Sequence, residues 1–136
     1  MFIRNAEPTD FEVFTPAYHD LLEAKALGIE PSFPDASECV VLDLNGYPLA
    51  IGGNCCGQCW FVTSDRVWRL ERALKMRFHR LICEYRDLML EQYETLWNFV
   101  WVGNTPHIRF LKSIGAEFHD EYTDDGQFQL FTIKRR

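Results

Sequence analysis

The chain has 136 residues, 47% of them hydrophobic and 15% aromatic, and a formal net charge of −6. This length is typical of one domain, and the apolar content can build a core without a metal or disulfide staple. The acidic balance argues against a general nucleic-acid-binding protein, because affinity for phosphate backbones comes from accumulated Lys and Arg. We therefore expect a single domain over residues 1–136.

The N-terminus and the hydropathy pattern predict a soluble protein of a cytoplasm-like compartment. Arg4 comes too early for the apolar core of a signal peptide. No later run of the sequence approaches the roughly 18 apolar residues that a membrane span requires. We expect no contact with a membrane.

The first half of the chain predicts a strand, an interrupted helix and a hairpin. Pro8 begins the helix with Thr9 or Asp10 as its cap, and Pro16 must bend or interrupt it. The dipeptide Asn45-Gly46 is a strong signal for a hairpin turn. The predicted elements are a strand at 2–4, a helix ending at Gly28, a loop at 29–37, and strands at 38–44 and 47–52.

The second half predicts a strand–helix–strand unit followed by a short helix and a hairpin. Residues 52–54 and Gly57 mark a turn before a strand at 59–63, and Ser64 or Asp65 caps the longest helix. The apolar stripe of that helix consists of Leu70, Leu74, Phe78, Leu81, Ile82, Tyr85, Leu88 and Met89. The remaining elements are a strand at 96–102, a helix between Asn104 and Gly115, and strands at 118–122 and 128–133.

This order of elements resembles the GNAT acetyltransferase fold over essentially the whole chain. The segment Asn104-Thr-Pro-His-Ile-Arg-Phe-Leu-Lys-Ser-Ile-Gly115 is similar to the family segment with Asn before a helix and Gly before the next strand. A helix cap and a C-terminal glycine explain the same spacing without catalysis. The resemblance implies one α/β domain with a mixed central sheet, flanking helices and a long helix after the fourth strand.

Several longer stretches resemble the internal virion protein A family of Autographiviridae-type short-tailed phages. These stretches are residues 11–17, 30–40, 50–55, 59–65 and 101–105. The resemblance implies a role in building the virion, in or around the internal core that takes part in DNA ejection. It also implies other virion or assembly proteins as partners and the host cytoplasm as location, and it carries over no catalytic residues.

The positions that match the GNAT cofactor loop carry the wrong residues. The family motif Q/R-x-x-G-x-G/A lets bare backbone amides at a helix start approach the pyrophosphate of acetyl-CoA. The matching positions here are Arg66, Arg69 and Glu71, and both small positions hold long side chains. Glu71 would also oppose the phosphate charge, although the two arginines could pair with phosphate through their side chains.

The acid and base of acetyl transfer are missing from their usual places. The strand at 59–63 has no carboxylate, and Leu111 occupies the family's tyrosine position counted from Asn104. We therefore name no catalytic residue, and we assign Arg66, Arg69, Glu71 and Asn104 only as degenerate cofactor positions. The favoured function is a non-catalytic assembly protein without cofactor, and the alternative is an acetyl-CoA-dependent N-acetyltransferase with a divergent loop.

Basic residues crowd the start of the longest helix. These residues are Arg66, Arg69, Arg72, Lys75, Arg77 and Arg80. They could contact an acidic partner, either a virion protein or DNA, and a nucleic-acid-binding module remains a third function on this ground alone. The plainer interpretation is a solvated face balanced by the acidic residues Glu71, Glu84, Asp87 and Glu91.

Cysteines and histidines do not form a convincing metal or redox site. Cys56 and Cys59 have C-x-x-C spacing, but a structural zinc site needs four ligands and the chain offers no second pair. We expect Cys55, Cys56 and Cys59 to pack as small residues in and beside a strand. The widely separated histidines, His19, His79, His107 and His119, are expected to be surface or locally bonded residues. We expect no metal and no small-molecule substrate.

Overall fold

The computed structural model describes residues 1–28 and 32–135, which form a single α/β domain. A mixed seven-stranded sheet has the strand order β1-β2-β3-β4-β5-β7-β6. The elements are β1 (Phe2–Asn5), α1 (Pro8–Val13), α2 (Tyr18–Ala26), β2 (Val40–Leu44), β3 (Tyr47–Cys55), β4 (Gln58–Thr63), α3 (Arg72–Gln92), β5 (Thr95–Trp101), α4 (Thr105–Ser113), β6 (Glu117–Thr123) and β7 (Phe128–Lys134). The predicted order and fold class are confirmed. The predicted loop at 29–37 lies partly outside the described residues.

The sheet is antiparallel except where β4 meets β5. These two strands are parallel, as the strand–helix–strand prediction required, and they are in register at Gln58 and Trp97 near their starts. Towards their C-terminal ends, the Thr63 and Trp101 amides donate to side chains of α2 instead of to the neighbouring strand. The sheet is therefore open between the ends of β4 and β5, and this opening positions the candidate site.

The two faces of the sheet are covered by different helices. Neighbouring strand residues point to opposite faces, so Ala50 packs in one cluster with Phe78 of α3 while Ile51 packs in another with Phe14. On the α3 face, the largest cluster joins α3, α4, β5 and β7 and consists of Leu90, Leu96, Val100, Leu111, Ile114, Phe131 and Ile133. The core thus lies mainly between the sheet and α3 and α4.

The N-cap of the first helix lies earlier in the chain than predicted. Its N-cap is Glu7, not Thr9 or Asp10, because Pro8 occupies the first helical position and the cap must precede it. The Asp10 carboxylate instead accepts the Glu7 N–H at 2.8 Å. The predicted interruption at Pro16 is confirmed, since α1 ends at Val13 and α2 begins at Tyr18.

Residues 52–54 lie inside β3 and do not form the predicted turn. The turn is at Cys56 and Gly57, which have φ values of 55° and 94°. Gly52 is required by close approach: a Cβ there would lie 2.7 Å from the Trp60 carbonyl oxygen and 2.8 Å from the Phe61 Cβ. Cys55 and Cys56 are exposed, so the prediction that they pack as small residues is wrong for this pair.

The longest helix begins later than predicted. Ser64 precedes a one-turn 3₁₀ helix at Val67–Arg69, whose N-cap is Arg66, and the Ser64 hydroxyl accepts the Arg66 N–H at 3.1 Å. Leu70 then has extended backbone, and Glu71 is the N-cap of α3. The predicted cap at Ser64 or Asp65 is therefore wrong, because the extended residue separates the two helical segments. Most of the predicted stripe is at least partly buried, but Leu88 is 58% exposed.

The aromatic side chains of β5 are half-buried. Trp97 and Phe99 pack edge-to-face with ring centroids 6.3 Å apart. The opposite face of the strand carries the fully buried Leu96 and Val100. The closing hairpin has the predicted turn, with positive φ at Asp124, Asp125 and Gly126.

Candidate functional site

The segment between β4 and α3 holds three of the four predicted cofactor positions. The guanidinium of Arg66 lies 3.7 Å above the centre of the Tyr47 ring. Arg69 points largely into solvent, with its Nη2 3.6 Å from the Asp65 Oδ2. Glu71 is exposed at the start of α3. The structure brings these residues to one loop, where their side chains contact their own chain or water.

Asn104, the fourth predicted position, is buried in a separate polar cluster. Its residue is 1% exposed, and its side chain makes no cap bond to α4, although it occupies the N-cap position. The Asn104 Nδ2 donates to Asp20 Oδ1 at 2.9 Å and to Glu23 Oε1 at 3.3 Å. The prediction of a capping side chain is therefore wrong. Its Oδ1 is buried without a hydrogen-bond partner among the described residues.

Two carboxylates of α2 occupy the backbone donors at the open end of the sheet. Asp20 Oδ2 accepts the Thr63 N–H at 3.0 Å and the Thr63 hydroxyl at 3.1 Å. Glu23 Oε1 accepts the Trp101 N–H at 3.0 Å. We call Asp20, Glu23, Thr63, Trp101 and Asn104 the α2 polar cluster. It replaces the β4–β5 hydrogen bonds that are missing where the strands diverge.

Sequence reasoning missed Asp20 and Glu23. The apolar Leu21 is 39% exposed, and every residue of α2 keeps some exposure. The available signal was the spacing of the two acidic residues, because residues three apart lie on the same helix face. Thr63 and Trp101 gave no signal, since they contribute backbone amides that any residue would supply.

Burial shifts the pKa values of Glu23, which belongs to the α2 polar cluster, and of His107, which lies near it. Burial raises the pKa of Glu23 to about 7, against the opposing effect of hydrogen bonds from Trp101 and Asn104, and nearby Asp20 adds to the increase. Burial lowers the pKa of His107, while Asp20 opposes that change. The His107 ring packs 4.6 Å from the Phe61 ring centroid. Burial thus favours the neutral form of both Glu23 and His107 close to the opening.

The opening between β4 and β5 encloses little space. The cavity there has a volume of about 100 Å³ and is lined in part by Glu23, Cys59, Phe61 and His107. Pockets for drug-sized ligands and cofactors are commonly roughly 300–1,000 Å³. Glu23 and the Phe61 ring therefore leave room only for water-sized molecules at this point.

A larger groove of about 560 Å³ runs beside the cluster between α2, the 3₁₀ turn and α4. Its rim carries Tyr18 and Trp68, which are 68% and 46% exposed. Its floor includes Phe78 and Phe110, with Asp20 and Asn104 at the polar end. This groove is wide enough for a ligand or a side chain of another protein.

The usual acid position of the fold offers no proton. Leu111 is 1% exposed and packs in the core with Leu96 and Val100. Glu23 has a pKa in the range that a general base needs, but its Oε1 already accepts two hydrogen bonds from the chain itself. These two hydrogen bonds give the Glu23 carboxylate a structural role, because they join α2 to Trp101 and Asn104.

The C-x-x-C pair does not present an activated thiol. Cys56 is exposed in the β3–β4 turn, whereas burial raises the pKa of Cys59 to about 11. Within residues 1–28 and 32–135, no group of three or more His, Cys, Asp or Glu side chains is arranged to hold a metal ion. No helix in this described part of the chain is long and apolar enough to cross a membrane.

Comparison with known proteins identifies the family. The family model described as "Bacteriophage T7, probable scaffold protein Gp13" matches residues 38–123. The probable scaffold protein gp13 of Escherichia phage T7 is 74% identical over 135 residues, which cover 99% of this chain and 98% of that protein. The chain belongs to this gp13 family. The predicted relationship to phage proteins is supported as membership of the gp13 family. The more specific assignment to the internal virion protein A family is not confirmed.

Solved structures show that the gp13 family chain has a GNAT-like fold. An acetyltransferase from Agrobacterium tumefaciens str. C58 matches with a TM-score of 0.66 and 14% identity, covering 98% of this chain and 90% of that one. A ribosomal-protein-alanine N-acetyltransferase from Brucella melitensis matches with a TM-score of 0.62 and 12% identity, covering 99% and 100%. At such low identity the likeness establishes the fold alone.

Proposed function

We propose that the protein acts in assembly of the phage particle through contacts with other proteins, and that its GNAT-like domain does not transfer acetyl groups. The observation that carries the assembly role is the 74% identity to a probable scaffold protein over nearly the full length of both chains. Identity at this level over a whole domain preserves surfaces as well as the core.

In finer terms, we propose that it acts in the host cytoplasm during infection, on proteins in or around the internal core of the virion. The groove rimmed by Tyr18 and Trp68 suits such contacts, because exposed aromatic residues are enriched where proteins bind one another. We do not propose a membrane, nucleic acid or small molecule as the partner.

Three features support a domain without acetyl-CoA. The cavity between β4 and β5 has only about 100 Å³. The strand donors that a bound chain would use already bind Asp20 and Glu23. Arg69 and Glu71 place long side chains before α3, where an anion would need bare amides, and the Glu71 carboxylate repels phosphate.

The alternative is an N-acetyltransferase with a divergent loop. Glu23 favours it, because a carboxyl group with a pKa of about 7 is suited to accept a proton from an amine. Calorimetric titration with acetyl-CoA, and with CoA as control, separates the two functions. We expect no heat at millimolar ligand and an unchanged melting temperature. A micromolar Kd, worth about 8 kcal/mol, would overturn the proposal that the domain lacks cofactor.

The assembly role is tested in phage that lack the protein. Supplying the wild-type chain from a plasmid should restore infectious particles, and Trp68→Ala with Tyr18→Ala should reduce the yield without changing the melting temperature. Leu27→Ala, which alters an exposed residue outside the groove, is the matched control. Full yield without any supplied protein would contradict the assembly role. Mass spectrometry of assembly intermediates and mature particles locates the protein in the pathway.

A further inference from the structure

The solvent face of α3 carries a charge pattern that the fold itself does not use. One stripe of exposed residues on this face consists of Ala73, Met76, Arg77, Arg80, Glu84, Asp87, Leu88 and Glu91, and the exposed residues Arg72, Lys75 and Gln92 lie outside it. At 100° per residue the stripe positions all lie within about 60° of one line along the helix. Met76 and Leu88 are each 58% exposed. The stripe is basic in its first half and acidic in its second.

Ion pairing within the chain leaves most of these charges free. Among the ion pairs between described residues, one involves this stripe, with Arg86 Nη2 at 2.9 Å from Asp87 Oδ1. The Asp87 side chain is still 66% exposed. Arg77, Arg80 and Glu84 have no oppositely charged group within ion-pair distance in the described chain.

The stripe is complementary to itself when it is turned end for end. Three of the four pairs of stripe residues at equal distance from position 82 have opposite charge or shared apolar character, and Ala73 with Glu91 is the exception. These matched positions are Arg80 with Glu84, Arg77 with Asp87, and Met76 with Leu88. A two-fold axis crossing the stripe at the level of Ile82 reverses the level of each residue but keeps its side of the stripe. It therefore brings Arg77 beside Glu84, and Arg80 beside Asp87, of a second copy. Such a pattern is what an isologous contact between antiparallel helices requires.

We propose that two copies of the chain pair through α3 in antiparallel orientation. The two-fold axis doubles each contact, so Arg77–Glu84 and Arg80–Asp87 give about four ion pairs between copies. The paired stretch from residue 73 to residue 91 is about 27 Å long. This is an inference about self-association and does not depend on the proposed role in assembly.

The size of the contact sets its strength. One helix face covers less than the about 800 Å² per partner that is usual for a stable complex, so the dimer should be weak and concentration-dependent. Because the ion pairs are exposed, added salt should weaken it further. The net charge of −6 also repels two copies, which makes the local pairing of opposite charges necessary.

Charge exchange in two complementary variants tests the proposal. Sedimentation equilibrium of the full chain should show a monomer–dimer equilibrium that weakens in high salt. Arg77→Glu with Arg80→Glu should lower the association constant at least tenfold, and so should Glu84→Arg with Asp87→Arg, because each makes all four pairs repulsive. An equimolar mixture of the two variants should dimerise again, and one chain with all four exchanges should also regain self-association.

The controls separate this contact from charge and folding effects. Lys25→Glu with Lys134→Glu makes the same change in net charge at exposed positions outside α3, and should leave the equilibrium unchanged. Met76→Glu, a single exposed substitution, should weaken the dimer without altering thermal unfolding. A wild-type chain that stays monomeric near millimolar concentration, or exchanged variants that dimerise as the wild type does, would overturn the proposal. Failure of the two variants to form a mixed dimer would also do so.

Discussion

Arg4 shows how one residue can fix the position of two elements. Its Nη1 and Nη2 donate to both Asp10 oxygens at 2.9 and 2.8 Å, and its Nε donates to Asp43 Oδ2 at 2.8 Å. Both carboxylates belong to residues that are about nineteen-twentieths buried. The Arg4 hydrogen bond lowers the pKa of Asp10, and Arg4 lowers that of Asp43 despite the opposing effect of burial. The guanidinium thus joins β1, α1 and β2.

We predict that Arg4→Ala costs about 3 kcal/mol of unfolding free energy at pH 7, because it leaves two buried carboxylates unpaired. Because their pKa values are lowered in the folded state, Asp10 and Asp43 stabilise the protein above the ordinary carboxyl pKa. This stabilisation is lost as the pH falls through their folded pKa values. The decrease in unfolding free energy on acidification should therefore be smaller in Arg4→Ala than in the wild type. Urea unfolding across acidic and neutral pH measures both effects. Arg69→Ala, which removes a solvent-exposed pair, should stay within about 0.5 kcal/mol of wild type.

Glu23 should affect stability in the opposite pH direction. Its folded pKa of about 7 lies above the ordinary glutamic acid value of 4.5, so its contribution is complete below pH 4.5 and is lost as pH rises through 7. Glu23→Gln keeps an acceptor for the Trp101 N–H without the buried charge. We predict that the variant is more stable than wild type at pH 8, by no more than about 3 kcal/mol. Thermal unfolding from pH 5 to 8 tests this, and parallel pH profiles for the two proteins would contradict it.

At the scale of elements, the long helix and the buried strand after it were predictable, because their packing is apolar and leaves a periodic signal. Helix α2 was predicted as part of an interrupted helix, but its polar contact with the sheet through Asp20 and Glu23 was not predicted. The glycines of β3 were placed in a turn, because a close approach between neighbouring strands leaves no trace in one sequence.

The close approach at Gly52 gives a test of this element. We predict that Gly52→Ala destabilises the protein by about 2 kcal/mol or more, since its Cβ would overlap the Trp60 carbonyl and the Phe61 side chain. Gly126→Ala is the matched control: φ is +84° there, but a Cβ meets nothing within 4 Å. Its cost should be near 1 kcal/mol, from backbone strain alone. Equal losses for the two variants in urea unfolding would show that crowding at Gly52 is unimportant.

At the scale of the molecule, the sequence located the loop before α3 but not the polar cluster that closes the sheet. Arg66, Arg69 and Glu71 could be placed because they follow a strand at a recognisable spacing. The partners of Asn104 come from α2, far away along the chain, and the side chain had a simpler local explanation as a cap. A buried polar network of distant residues has no periodicity, so it becomes visible only when the fold is known.

The divergence of β4 and β5 also divides the molecule mechanically. Strands β1 to β4 form one part of the sheet and β5 to β7 the other. The two parts pair through the backbones of β4 and β5 at Gln58 and Trp97. Beyond that point, the Asn98 side chain donates to the Cys59 carbonyl oxygen at 2.7 Å, and the ends of the strands are joined by two carboxylates of α2, whose residues all keep some exposure. Detachment of α2 would free the amides of Thr63 and Trp101 while the apolar core behind α3 stays intact. We therefore expect the ends of β4 and β5 to separate at a lower free-energy cost than global unfolding.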